Sequence, residues 1–303
     1  MRKFTSQEIK EFVSKPLFDE KVILNKDPSW PKISIVTPSY NQAEFLERTI
    51  LSVLNQNYPN LEYIIIDGGS TDGSVEIIKK YEKYLSYWVS EKDRGQAHAL
   101  NKGFTVASGK ILAWINSDDI YLPNIFYTVA KFFAKNPHVS VLYGNKLIID
   151  LNDNIVSERR VTKYIPYLSK LGFIYGGFGI YQPASFWTKS IYDISGGIDI
   201  SFRFCMDNDL FYKFLLEGAK FKFIREYFTG FRIHPNSKTS TLKKIAEEEF
   251  SILIKKYNLK HNSLLANYIR FLVRIHRVLL YIFQGDIDYL FFKIFKDRLK
   301  WVP

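Results

Sequence analysis

The apolar positions of this chain change period as it runs. Ile33-Ser34-Ile35-Val36 alternates and is β-branched, which predicts a strand. Phe45, Leu46, Thr49, Ile50, Val53 and Leu54 then fall at helical spacing, with Asn41 placed to cap that helix. Leu61 to Ile66 predicts an apolar strand running into Asp67-Gly68-Gly69-Ser70-Thr71-Asp72-Gly73, a loop that only Gly-rich sequence permits. Val75 to Tyr84 predicts a helix, Tyr87-Trp88-Val89 a short strand and Gln96 to Ala107 a third helix. Ile111 to Ile115 predicts a strand buried on both faces. This alternation predicts right-handed βαβ units and a doubly wound, mostly parallel α/β sheet.

The flanking segments read differently. Residues 1–31 are charged and broken by Pro16, Pro28 and Pro31, and predict a lead-in arm with one short helix. From about residue 140 to 240 the pattern is mixed. Strands are expected at Val139 to Leu142, Asn154 to Val161, Phe221 to Ile224 and Tyr227 to Ile233, a loop at Gly172 to Gly179, and a helix at Asp207 to Glu217. Residues 241–303 predict two or three helices rich in Lys, Arg, Phe, Tyr and Leu.

Composition narrows the class. A hydrophobic fraction of 47% supports a real core, and one Cys permits neither an internal disulfide nor a Cys-based zinc site. No apolar run reaches the roughly 18 residues that span a bilayer. Met1 to Lys15 lacks an apolar signal core, so a cytoplasmic location is expected. The net charge of +11 needs a partner: nucleic acid, a membrane surface or an anionic substrate. Residues 241–303 hold twelve Lys and Arg against six Asp and Glu, so the tail owns more than half the excess. There Arg270, Arg274 and Arg277 share one helical face beside Phe271, Leu272, Ile275, Val278, Leu279 and Ile282, and Lys293, Lys296 and Lys300 repeat the pattern with Phe292, Phe295 and Leu299. Such helices either lie on an anionic membrane surface or pack on the α/β domain that precedes them.

Ligands of doubly wound sheets sit beyond the carboxyl ends of the strands. Here those ends carry Thr37-Pro38-Ser39-Tyr40, Asp67-Gly68-Gly69 and Asn116-Ser117-Asp118-Asp119. Adjacent carboxylates such as Asp118 and Asp119 suit Mg²⁺ or Mn²⁺; otherwise one of them caps a helix starting near Pro123. Asp67 can accept an N–H from a nucleobase, Tyr40 offers a stacking face, and Arg94 can meet phosphate. Asp207 and Asp209 are candidate proton acceptors, or simply the first turn of their helix. Gln182 and Trp187, after the Gly-rich loop, are candidates to touch an acceptor.

These segments resemble family 2 inverting glycosyltransferases of the GT-A fold. The resemblance rests on Ile33 to Asn41, Ile66 to Gly73, Asp93-Arg94-Gly95-Gln96, Ala99 to Gly103 and Asn116 to Asp119, in order and at the family's spacing. It continues through Gln182 to Phe186, Gly196 to Asp199, Met206 to Leu210 and Arg232 to Lys238. It implies a catalytic domain over 32–240, with a nucleotide-sugar half at 32–120 and an acceptor half at 121–240, followed by a helical extension at 241–303. It implies nucleotide-sugar contacts from Thr37, Pro38, Tyr40, Asp67, Arg94, Gln96, Asn101 and Asp118. Asp67 would face the base, and UDP or dTDP is favoured. It implies Mn²⁺ or Mg²⁺ on Asp119, with Asp118 and His234 as further ligands, and Asp207 as base with Asp209 as alternative. The implied acceptor is a glycan or polyprenol-linked hydroxyl, as in capsule or O-antigen assembly at the inner face of the cytoplasmic membrane.

Other classes fit less well. A sugar-1-phosphate nucleotidylyltransferase needs a Gly-rich, cationic loop after the first strand, and Thr37-Pro38-Ser39-Tyr40-Asn41 has neither feature. A nucleic-acid-binding protein would have to tolerate Asp67, Asp72, Asp93, Asp118 and Asp119 at one sheet edge, so no nucleic-acid partner is expected.

Overall fold

The computed structural model describes residues 1–163, 165, 173–174, 179–259 and 263–295. Helices α1 (Ser6–Ser14) and α2 (Glu20–Asn25) open the chain. Strand β1 (Ile33–Ser39), helix α3 (Ala43–Leu54), β2 (Leu61–Asp67), α4 (Ser74–Tyr81), β3 (Tyr87–Ser90), α5 (Gln96–Val106) and β4 (Ile111–Trp114) follow the predicted alternation. They pair in parallel in the order β3-β2-β1-β4. Every residue of β1 and β2 is buried, because helices cover both faces of the sheet.

The second half turns the sheet mixed. Strand β5 (Ile120–Tyr121) and helix α6 (Ile125–Lys135) lead to β6 (Val141–Ile149), β7 (Ile155–Arg159) and β8 (Ser185–Thr188). Helices α7 (Lys189–Ile194) and α8 (Met206–Leu216) precede the long β9 (Phe221–Arg232). The sheet continues from β4 through β8, β6 and β9 to β5, with β7 on the flank of β6. Strand β8 runs antiparallel to both β4 and β6, and β6 runs parallel to β9. Helices α9 (Lys238–Thr241), α10 (Lys243–Lys256), α11 (Ser263–Phe283) and α12 (Ile287–Phe295) complete the chain.

Several expectations change. The N-terminal arm contains two helices, and its Ile9, Val13 and Ile23 are buried in the core shared by β1, β2 and α3. Asn55 stitches the arm down: it accepts from Leu17 N at 2.7 Å and donates to Phe12 O at 2.5 Å. Asn41 does not cap α3. It takes a left-handed φ of 50°, and Asp72 from the neighbouring loop accepts Ala43 N at 2.9 Å instead. Strand β9 is one element, not two, because the charged pair Arg225-Glu226 that breaks the apolar pattern lies within it. The Gly172 to Gly179 loop lies outside the described residues except for Phe173, Ile174 and Gly179, as do Lys296, Leu299 and Lys300 of the second basic stripe.

Residues beyond 240 do not stand apart from the sheet. Glu249 of α10 is buried and accepts the N–H groups of Arg203, Phe204 and Cys205 at 2.6, 2.8 and 2.8 Å. Those are the last residues before α8, so one carboxylate of the tail ends the loop that leads to Asp207.

Candidate active site

A cleft of about 670 Å³ opens at the carboxyl ends of β1 to β4, within the range of small-molecule sites. Pro38, Tyr40, Gly68, Asp93, Arg94 and Gln96 line one side, and Asn116, Asp118, Arg203, Phe231 and Lys238 the other. The sequence brings them together because four parallel strands end at this edge, and β9 returns beside β6 to deliver Phe231 and the His234–Lys238 segment.

Tyr40 is 63% exposed, so its ring is available for stacking. The residue expected to face a base behaves otherwise. Asp67 is fully buried and accepts from Gly69 N (3.0 Å), Ser70 N (2.8 Å), Ser70 Oγ (2.5 Å) and Ser90 Oγ (2.7 Å). It holds the Gly-rich loop in shape and does not line the cleft. The carboxylate that does stand beside Tyr40 belongs to Asp93. A Cβ on Gly68 would meet Asp93 Oδ2 at 3.0 Å and the Tyr40 ring at 3.2 Å, so Gly68 leaves room for both. Asp93 Oδ1 accepts Gly95 N at 2.7 Å.

Two further expectations move into the frame. Thr37 is fully buried, its hydroxyl bonded to Tyr63 Oη at 3.1 Å. Asn101 braces α5 against the Gly197-Ile198 turn, donating to Ile198 O at 2.7 Å and accepting from Ile198 N at 3.2 Å. Gln182 donates to Trp114 O at 2.7 Å and Trp187 packs edge-on against Trp114, and both are buried. Gln96 stays in the cleft as a bridge. It accepts from Lys238 Nζ at 2.6 Å and donates to Asn116 Oδ1 at 2.6 Å.

The acidic pair divides. Asp118 lines the cleft, and its Oδ2 lies 3.0 Å from His234 Nε2. Asp119 is 1% exposed; its Oδ1 accepts Arg232 N at 2.9 Å and its Oδ2 accepts Asn116 Nδ2 at 3.3 Å. Burial first, then the Asp118 charge, pushes the Asp119 carboxyl well up from its ordinary value, while the Arg232 N–H and the Lys146 and Arg232 charges oppose this. Neither Asp caps α6, whose Ile125 N donates to Gln56 Oε1 at 2.9 Å. Arg232 fixes the pair: buried, it donates to Asp118 O at 2.8 Å, Asp150 O at 2.7 Å and Asp153 Oδ1 at 2.6 Å.

The donor set suits a hard divalent cation. Asp118 and His234, hydrogen-bonded to each other at 3.0 Å, are oxygen and nitrogen donors of the types that hold such a cation. Among the described residues no cluster of three or more His, Cys, Asp or Glu forms. Mg²⁺ or Mn²⁺ commonly takes one or two protein ligands and completes its shell with phosphate and water. Asp119, expected as the direct ligand, instead has both oxygens turned to protein donors.

Asp207 opens α8 outside the cleft lining; its Oδ1 accepts Asn208 N at 2.7 Å. Burial raises its carboxyl, partly opposed by the Asn208 bonds and by Lys146. Lys146 sits 3.7 Å over the Phe231 ring, and burial pushes its amine down to about 8 against the pull of Asp119 and Asp207. Asp209 is spoken for: Lys213 and Lys256 pair with it at 2.8 and 2.7 Å and Tyr257 Oη donates to it at 2.6 Å. The sequence places Asp93 at the sheet edge without a role of its own, and assigns no role to Arg203, Lys238 or Lys146. Asp93 and Lys238 stand inside recognisable segments, but nothing local marks Arg203 or Lys146.

Sheet order and a cleft at the switch point are those of the GT-A architecture. The chain belongs to glycosyl transferase family 2, whose pattern its residues 34–192 match. An uncharacterized glycosyltransferase of Mycobacterium tuberculosis is 33% identical over 63% of this chain and 70% of its own. TuaG of Bacillus subtilis, named for teichuronic acid biosynthesis, is 41% identical over 29% of this chain and 36% of its own. Among solved structures, S. aureus TarS in complex with UDP-GlcNAc superposes with a TM-score of 0.60 at 17% identity, covering 78% of this chain and 70% of that one. Against a longer TarS chain the coverage is 39% of that chain. The mannosyltransferase PcManGT of Pyrobaculum calidifontis, solved with GDP-Man and Mn²⁺, gives 0.57 at 18% identity over 89% of this chain and 76% of its own.

Proposed function

We infer that this chain transfers a sugar from a nucleoside-diphosphate sugar, UDP or dTDP favoured, to a hydroxyl of a glycan or polyprenol-linked acceptor, with inversion. The observation that carries this is the Asp118–His234 pair in one cleft at the strand ends with the cations Arg94, Arg203 and Lys238. The base would stack on Tyr40 and give its ring N–H to Asp93, the role expected of Asp67. Arg94, Arg203 and Lys238 would meet the diphosphate. Asp118 and His234 would hold Mn²⁺ or Mg²⁺, which supplies charge neutralisation to a diphosphate leaving group. Neighbours with UDP-GlcNAc and GDP-Man support the nucleotide-sugar class, and the partial likeness to TuaG supports surface-polysaccharide assembly.

The chain's own chemistry is a single displacement. The acceptor oxygen forms a bond to the anomeric carbon as the bond from that carbon to the diphosphate breaks. The acceptor proton passes to a carboxylate, for which Asp207 is the better placed, since Asp209 is neutralised by Lys213 and Lys256. Calorimetry with UDP, dTDP and GDP, each with and without Mn²⁺, tests the reading. Metal-dependent binding of one of them is expected. Failure of every diphosphate to bind, or sugar transfer that persists in EDTA, would overturn it.

A further inference from the structure

The C-terminal helices present a surface that the donor chemistry does not use. On α11, Tyr268, Phe271, Leu272, Ile275, Val278, Leu279, Ile282 and Phe283 are 42–85% exposed. At 100° per residue these positions fall within a stripe about 140° wide. The opposite side of the same helix is the one that packs: Val273 and Tyr281 are buried, and Tyr281 Oη donates to Arg160 O at 2.8 Å. Helix α12 carries a further exposed apolar residue, Ile287, 51% exposed. Amphipathic helices of a globular domain turn their apolar stripe inward; here the wider stripe faces out.

The corner between these helices is fixed to the catalytic body. Asp286 is fully buried and pairs with Arg160 at 2.7 Å and Arg225 at 2.6 Å, and Asp288 pairs with Arg160 at 2.8 Å. The bare face therefore has a set orientation relative to β7 and β9, which carry or adjoin those arginines.

We propose that α11 and α12 form a docking face for an anionic lipid bilayer, with α11 lying along the interface. Charge selects this occupant. Over residues 263–295 the only carboxylates are Asp286 and Asp288, both spent on Arg160 and Arg225, while the cations are Arg270, Arg274, Arg277 and Lys293. Arg274, exposed, follows on one flank of the apolar stripe, where a helix lying in an interface meets lipid headgroups. A second copy would set these like charges against each other. No described helix is long and apolar enough to cross a membrane, so the face lies on the bilayer. The inference does not rest on the donor reading.

The test is sedimentation of the full chain with vesicles of phosphatidylcholine alone or mixed with phosphatidylglycerol, beside the double variant I275E/L279E. Both substituted side chains are exposed, and an unchanged melting temperature verifies folding of the variant. Burying two such side chains in lipid predicts at least about tenfold weaker partitioning for the variant. The wild-type chain is expected to pellet with the mixed vesicles, less at high salt, and the variant to remain in the supernatant. Equal partitioning of the two chains, equal binding to phosphatidylcholine alone, or no vesicle binding together with a dimer that the variant abolishes would overturn the proposal.

Discussion

Single residues divide the carboxylates of this edge into holders and actors. Asp67 holds: with four donors on its oxygens, Asp67→Ala should lower stability by about 2–5 kcal/mol in denaturant unfolding. Asp93 acts: Asp93→Asn should leave the melting temperature unchanged and raise the donor KM by about tenfold or more, as loss of one charged hydrogen bond does. If Asp67→Ala folds normally and only donor binding suffers, the assignment reverses. Asp207→Asn should reduce kcat by about 10²–10⁴ while nucleotide binding survives. Burial raises the Asp207 carboxyl, and only its ionised form can take a proton. Turnover should therefore fall on acidification through a pH above the usual aspartate range. Lys146→Met removes a charge that opposes the rise, so it should move this limb further upward. The residue types of the site were legible in the sequence, and their partition was not. Asp67 ends β2 and Asp93 lies in the loop after β3, and only three-dimensional neighbours such as Ser90 and Gly68 decide which one is consumed by its own loop.

Elements were more legible than contacts. The four parallel strands follow directly from period changes, because a strand covered on both faces must be apolar throughout. The arm's packing is not legible locally, because Ile9 and the Phe12-Val13 pair stand among charged and polar residues, and their partner surface on α3 lies about thirty or more residues away. The long β6 was foreshortened because Asn145 and Lys146 interrupt its apolar run, yet both are buried. Helix α10 shows how far a local reading falls short: Glu249 looks like one of three adjacent surface glutamates but accepts three backbone N–H groups. Glu249→Ala strands those donors. It should cost about 2–4 kcal/mol and, by loosening the entry to α8, lower kcat more than it changes donor binding. A melting curve and steady-state kinetics on the same preparation check both halves.

At the scale of the molecule, Asp118 and the cations Arg94, Arg203 and Lys238 share one cleft. The +11 excess lies mainly outside it, in a tail whose inner side is bound to the catalytic body and whose outer side is apolar. Adding a tight diphosphate with Mn²⁺ should raise the melting temperature of the whole chain, by about 2.7 kcal/mol of stability at a hundredfold excess over Kd. EDTA should remove the shift. Lys238 adds a consequence of another kind. Withdrawal from bulk water, with Arg203 beside it, pushes its amine down to about 8, so near that pH about half the molecules carry it neutral. A bound diphosphate favours the charged form, so the donor draws a proton out of solution as it arrives. The heat of binding then depends on which buffer surrenders that proton, and the slope of enthalpy against buffer ionisation heat counts the protons taken up.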